Sequence, residues 1–227
     1  ELLIKKIAVI GAGTMGSGIA AQIANAGNNV LLLDLAAEGD GEQSPAEIAI
    51  ERLIASDPPQ LMHKKNTSLI TTGTISDDFH KLSECDWIIE AVVERLDIKK
   101  ALYKRLYETI HAACIVSSNT STIPISLLVE DMPIDFKRRF AITHYFNPVR
   151  YMRLLELVKG KETSTEVINK VADYNDHILG KGVVRCADTP GFLGNRLGVF
   201  ALQVSPMGES VLHHVLSLFV GPIDVAI

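Results

Sequence analysis

The chain has 227 residues, 47% apolar and 22% charged, with 22 Lys plus Arg against 27 Asp plus Glu for a net charge of -5. That balance excludes a chain whose main state is disordered, and a net negative protein without a long Lys/Arg run lacks the electrostatic footprint of a nucleic-acid binder. No apolar run approaches the roughly 20 residues that a bilayer span requires, so no membrane partner is expected; even 87–93 is broken by Glu90. The three cysteines, Cys85, Cys114 and Cys186, are odd in number and far apart, which points to a reducing compartment with neither a disulfide scaffold nor a metal site. The chain opens on Glu1 and runs through Lys5 and Lys6 straight into a strand, which leaves a removed leader or a trimmed start open.

Short aliphatic runs at 7–10, 30–34, 68–72, 86–92 and 114–118 read as strands, separated by helical patterns. The segment 16–26 places Ile19, Ala20, Ile23 and Ala24 on one face and stops at Gly27, which takes a left-handed cap without strain. Ser44-Pro45-Ala46-Glu47 offers a capping hydroxyl, a proline at the first helical position and a carboxylate at the third, predicting a helix that ends before Asp57-Pro58-Pro59. From 97 to 111, Ile98, Leu102, Leu106 and Ile110 recur at helical spacing, with Lys99, Lys100, Lys104 and Arg105 assigned to the solvated side. Strands follow at 140–145 and 154–158, then a helix over 165–179 and a last strand at 182–186. The alternation predicts an α/β fold, a doubly wound, mostly parallel sheet over residues 1–187. After Asp188-Thr189-Pro190-Gly191 the pattern turns helical, so 188–227 is expected to begin a small all-α domain that is truncated or incomplete.

The first strand leads into Gly11-Ala12-Gly13-Thr14-Met15-Gly16 with a helix opening at the third glycine. Gly11 permits the tight turn, Gly13 lets backbone approach a pyrophosphate, and Gly16 lets helix and strand pack closely, while the helix N-terminus presents N–H groups to phosphate charge. Asp34 closes the second strand, where a carboxylate accepts from both ribose hydroxyls. With no Arg just after it, that acid repels a 2′-phosphate and favours NAD over NADP.

His144 ends the strand at 140–145, and Glu156 lies among aliphatics in Leu154-Leu155-Glu156-Leu157-Val158. A charge in such a run needs a partner. If the strands meet, the carboxylate fixes the imidazole tautomer and raises its basicity, as proton removal from a hydroxyl requires. Spacing alone leaves open a hydrogen-bonded core histidine and an outward-facing glutamate. The remaining histidines (His63, His80, His111, His177, His213 and His214) read as surface residues. The polar run 117–121 closes the fifth strand, where ligands of open α/β sheets bind; a polar turn capping a helix near Pro124 satisfies it equally.

Taken together, GAGTMGSGIA, EAVVERLDIKKALY, SSNTSTIPIS, THYFNPVRYMRLLELV and DTPGFLGNRL resemble the NAD-dependent L-3-hydroxyacyl-CoA dehydrogenase family, and several are similar in wording to the long bacterial members fused to an enoyl-CoA hydratase or isomerase. The resemblance implies His144 as catalytic base, Glu156 as the carboxylate orienting it, and Ser121 and Asn195 as hydrogen-bond donors to the substrate's 3-oxygen. It implies Glu94, Lys99, Ser121 and Asn147 around NAD, with Gly11, Gly13, Thr14, Met15, Gly16 and Asp34; a helix-start charge pair accounts for Glu94 and Lys99 equally well. The implied reaction is oxidation of a (3S)-3-hydroxyacyl-CoA to the 3-oxoacyl-CoA in fatty acid β-oxidation. The region 47–65 corresponds to the family's inserted helices near CoA, with His63, Lys64 and Lys65 within reach of its phosphates.

The implied assembly is a homodimer if the helical domain is complete, or part of a larger multifunctional protein. The implied place is bacterial cytoplasm, with a mitochondrion or peroxisome left open. Pro206-Met207-Gly208 resembles a triplet much later in the family's helical domain, so a stretch after about Val204 is expected to be missing. Two other readings stand beside this one: a β-hydroxyacid dehydrogenase, disfavoured because the comparable helix offers Asn195 and Arg196 rather than a lysine, and a non-catalytic NAD(H)-binding descendant.

Overall fold

The strands are aliphatic on both sides because both faces of the sheet are covered by helices. In the computed structural model, which describes residues 4–39, 41–189 and 192, eight strands form one sheet in the order β3-β2-β1-β4-β5-β6-β7-β8. They are β1 (Ile7–Ile10), β2 (Val30–Asp34), β3 (Ile70–Thr74), β4 (Trp87–Glu90), β5 (Ile115–Ser118), β6 (Phe140–Tyr145), β7 (Leu154–Lys159) and β8 (Gly182–Cys186). β1 to β6 run parallel; β7 pairs antiparallel with β6, and β8 parallel with β7. The strand order reverses between β1 and β4, which opens a crevice at the carboxyl ends of these two strands.

Alternate residues of each strand feed two cores. Ile7, Val9, Leu32, Trp87 and Ile89 pack on one side with Ile19 and Ile23 of α1 (Thr14–Asn25), Ala49 and Leu53 of α2 (Pro45–Ala55), and Ile168 and Val171 of α6 (Thr165–Asp173). Ala8, Ile10, Ile88 and Val116 pack on the other with Tyr103 and Leu106 of α3 (Leu96–Thr109), Leu128 of α4 (Ile125–Leu128) and Phe136 of α5 (Ile134–Arg138). The capping box at Ser44 is formed: Glu47 N–H donates to the Ser44 hydroxyl, and the Glu47 carboxylate accepts from Ser44 N–H.

Three expectations need correction. The strand expected over 68–72 is displaced to Ile70–Thr74, because a 3₁₀ segment, Lys64–Leu69, precedes it. The strand expected over 86–92 stops at Glu90, whose carboxylate turns back to accept from Val92 N–H. The helix expected over 165–179 is α-helical only to Asp173 and continues as a π-turn, Tyr174–Ile178, in which Asn175 is buried and accepts the Tyr145 hydroxyl at 2.5 Å. Asn195 and the remainder of the expected helical domain lie outside the described residues.

Candidate active site

The glycine loop sits at the sheet's switch point. Gly11 has φ +103°, and a Cβ there would overlap the Ala91 carbonyl; one on Gly16 would overlap the Gly11 carbonyl. These two glycines are therefore required by backbone approach. Gly13 differs, since a Cβ there meets nothing within 4 Å, and it leaves the N-terminus of α1 bare. That terminus has no side-chain cap and no acidic residue in its first turn to meet its amides. Asp34 accepts from Ala12 N–H at 2.5 Å and Leu35 N–H at 2.7 Å, which pins the loop to the end of β2 and leaves acceptor positions on the carboxylate.

Two clefts open here. One, of about 510 Å³, is lined by Gly11, Gly13, Asp34 and Leu35 and floored by apolar groups of α3, including Ile98 and Leu102. The other, of about 390 Å³, is lined by Met15, Glu94, Asn119, Ser121, His144 and Asn147. Ala91 and Val92 line both, so the clefts adjoin.

His144 and Glu156 are directly opposite in the antiparallel pair of β6 and β7, and both are buried. The ring Nδ1 lies 2.7 Å from Glu156 Oε2. A carboxylate only accepts, so in the neutral ring Nδ1 carries the hydrogen and Nε2 the lone pair, and the side chain lines the cleft. Pairing with β8 makes β7 an interior strand, so the outward-facing alternative for Glu156 is removed. The Cys186 thiol reaches Glu156 Oε1 at 3.9 Å, and Phe146 and Phe192 pack on the imidazole with ring centroids 4.4 and 5.9 Å away.

Glu94, at the cleft rim, accepts from the hydroxyls of Thr120 and Thr122 and from Ser121 N–H, tying the loop after β5 to the start of α3. Burial works to raise its pKa, but the Thr120 and Thr122 hydroxyls and the Lys99 ammonium outweigh burial and hold the carboxyl below its ordinary value. Lys99 is not on the solvated side of α3 as the helical spacing suggested. It is 1% exposed and donates to Glu90 at 2.6 Å, with Glu94 at 3.3 Å, because a buried strand-end carboxylate draws the cation inward while Ile98 turns outward. Glu90, which interrupts the apolar run 87–93, carries the same signal as Glu156, a carboxylate among aliphatics that needs a partner. His63, His80, His111 and His177 are exposed as expected, as are Lys64 and Lys65; His213 and His214 lie outside the described residues.

Residues 6–189 match the model of the 3-hydroxyacyl-CoA dehydrogenase NAD binding domain. The chain belongs to this family. It is 44% identical over 202 residues to a putative fatty acid oxidation complex trifunctional enzyme of Rickettsia felis, covering 88% of this chain and 28% of that protein. It is 42% identical over 200 residues to a probable 3-hydroxyacyl-CoA dehydrogenase of Deinococcus radiodurans, covering 88% and 58%. Among solved structures, the 3-hydroxybutyryl-CoA dehydrogenase of Escherichia coli K12 superposes with a TM-score of 0.75 at 34% identity, covering 89% of this chain and 43% of that one. The chain thus spans less than two thirds of each of these relatives.

NAD is the family's cofactor, and the residues present fit it. The bare α1 terminus beside Gly13 suits a pyrophosphate, Asp34 has acceptor capacity for ribose hydroxyls, and the apolar floor of the larger cleft suits a flat base. No helix among the described residues is long and apolar enough to cross a membrane.

Proposed function

We propose that this chain is the NAD-binding and catalytic part of an enzyme that oxidises (3S)-3-hydroxyacyl-CoA thioesters to 3-oxoacyl-CoA. NAD, when bound, supplies the hydride acceptor. Nε2 of His144 takes the hydroxyl proton as the C3 hydrogen leaves with its electron pair and the carbon–oxygen bond becomes a carbonyl. Glu156 holds the ring tautomer that makes Nε2 the base, and its negative charge beside Nδ1 steadies the imidazolium formed when Nε2 is protonated. The ring walls of Phe146 and Phe192 restrain the imidazole and exclude water from it. Ser121 on the facing wall, and Asn195 from the following segment, hold the 3-oxygen beside the base. Glu94 and Asn147 border the cofactor's reactive half, with the buried Lys99 behind Glu94 rather than at the cleft surface as the resemblance implied; Gly11, Gly13, Thr14, Met15, Gly16 and Asp34 border its phosphates and adenosine.

The observation that carries this reading is a buried His–Glu pair opening on a cleft continuous with a dinucleotide loop. The test is NADH production from (3S)-3-hydroxybutyryl-CoA and from a longer acyl thioester, beside free 3-hydroxybutyrate. Turnover of the thioesters alone is expected. Turnover of the free acid alone would transfer the chain to the β-hydroxyacid group, and NADH binding without turnover of any would make it a non-catalytic cofactor protein.

Residues 1–187 form the sheet domain in this reading, and 188–227 begin a helical domain that closes the site. A place within a larger multifunctional β-oxidation protein of the bacterial cytoplasm is favoured over a free-standing homodimer by the likeness to the Rickettsia felis enzyme, of which this chain matches 28%.

A further inference from the structure

We propose that Glu90 is a positioning residue for the cofactor's reactive half, acting through Lys99 on Glu94; the proposal rests on the cofactor reading above. Glu90 is fully buried at the end of β4, directly before Ala91 and Val92. Four donors converge on its carboxylate. Oε1 accepts from Val92 N–H at 2.9 Å and from the Lys99 ammonium at 2.6 Å; Oε2 accepts from the Tyr103 hydroxyl at 2.6 Å and the Ser118 hydroxyl at 2.7 Å. These donors come from the β4 turn, from two successive turns of α3 and from the end of β5.

An ionised carboxylate offers about four acceptor sites and no donor, which matches this set; an amide offers half as many and adds two donors of its own. Burial and the Glu90 charge push the Tyr103 phenol well above its ordinary pKa, so it remains a donor.

The linkage continues outward. Lys99 spans from Glu90 to Glu94, and Glu94 gathers Thr120, Ser121 N–H and Thr122 at the rim of the His144 cleft. The charges alternate: carboxylate, ammonium, carboxylate. Without the inner carboxylate, the buried ammonium has, among the described residues, only the rim carboxylate as counter-ion and pulls it inward, dragging the loop that carries Ser121. The cleft of Asp34 and Gly13 includes none of Glu94, Thr120, Ser121 or Thr122 in its lining, so the adenosine half is spared. The prediction is therefore a split: the reactive half of the dinucleotide loses its seat while the other half keeps its own.

The experiment titrates the full chain with NADH and, separately, with ADP-ribose, which lacks the nicotinamide, beside thermal melting. Glu90→Gln is expected to weaken NADH about tenfold and ADP-ribose by less than about twofold. Lys99→Met is expected to weaken NADH by a similar factor, and adding Glu90→Gln to it by less than about twofold more, since coupled residues are non-additive. Unchanged NADH affinity in folded Glu90→Gln, a parallel fall for both ligands, or full additivity with Lys99→Met each overturns the proposal while leaving the cofactor reading intact. A parent chain that binds neither ligand overturns both. If Glu90→Gln does not fold, Tyr103→Phe decides: it removes one donor to the same carboxylate at nearly the same volume, and is expected to weaken NADH about threefold with ADP-ribose unchanged. An unchanged NADH affinity there overturns the proposal.

Discussion

The two clefts that adjoin at Ala91 and Val92 are made of different materials. The Asp34 cleft is built from backbone and missing side chains: Gly11 and Gly16 let strand, loop and helix approach to contact, and Gly13 exposes a helix terminus. The His144 cleft takes its chemistry from side chains, with polar groups supplied by β6 and the segment after it, the loop after β5 and the segment just before α3, and the opposing Glu156 of β7 behind His144. The first material gives a rigid seat for a charge the chain does not itself carry. The second gives, in the proposed reading, a group that takes up a proton during the reaction. In the proposed reading the first seats the phosphates and adenosine while the second holds the reactive half and carries the base, and substitutions on the two sides should separate those properties.

The largest expected effect is on the reacting side. His144→Ala should lower turnover about 10³-fold while NADH affinity stays within about twofold. Steady-state rates beside a binding titration check this. Equal loss of binding and turnover would mean that the two clefts are one mechanical unit, and the division drawn above would fail.

Next is a contrast within the glycine loop. Gly16→Ala forces a Cβ into the Gly11 carbonyl, and overpacking of that kind should cost about 3 kcal/mol in stability by denaturant unfolding. Gly13→Ala has open space around its new methyl, so stability should hold while NADH binding weakens, because the methyl stands where a pyrophosphate approaches. A stable Gly16→Ala would show that the close approach of α1 to β1 is not what that glycine secures.

The same difference in material decides what could be read before the structure. The glycine loop is local, six consecutive residues whose spacing carries their geometry, and Asp34 follows at a fixed strand end, so this cleft was legible almost residue by residue. His144 and Glu156 are 12 apart in sequence and opposite only through antiparallel register, which spacing alone does not specify. A family resemblance had to join them. Lys99 was misplaced because helical periodicity weighs apolar residues and sends lysines to water, whereas here a buried carboxylate on a neighbouring strand reverses the preference and rotates the buried face toward Lys99 and Tyr103.

A buried cation also braces the reacting side. Lys181 donates to the carbonyls of Val149 and Met152, in the turn that follows Asn147-Pro148. Burial lowers its pKa from 10.5 to about 8. The unfolded chain therefore binds more protons between those values, so stability rises with pH across the window: the cost of burying the ammonium is full below about pH 8 and relieved toward 10.5. The gain is on the order of 2 kcal/mol. Relative to Lys181→Met, the parent chain should gain melting temperature from pH 8 to 10, and a flat difference would show that Lys181 is solvated in solution.

The smallest effect expected concerns cofactor choice. Asp34 holds the loop through Ala12 and Leu35, and in the proposed reading it also presents negative charge where a 2′-phosphate would lie. Asp34→Asn retains the shape and one carbonyl acceptor but removes the charge, so the preference for NADH over NADPH should narrow about tenfold through relief of repulsion, with NADPH affinity still low because no Arg stands after position 34 to receive the phosphate. Asp34→Ala should weaken both cofactors as well, since the amides of Ala12 and Leu35 lose their acceptor. If the ratio of the two affinities does not move in either variant, discrimination is exerted elsewhere along the cleft, and Asp34 belongs with Gly11 and Gly16 among the residues that shape the loop rather than read the ligand.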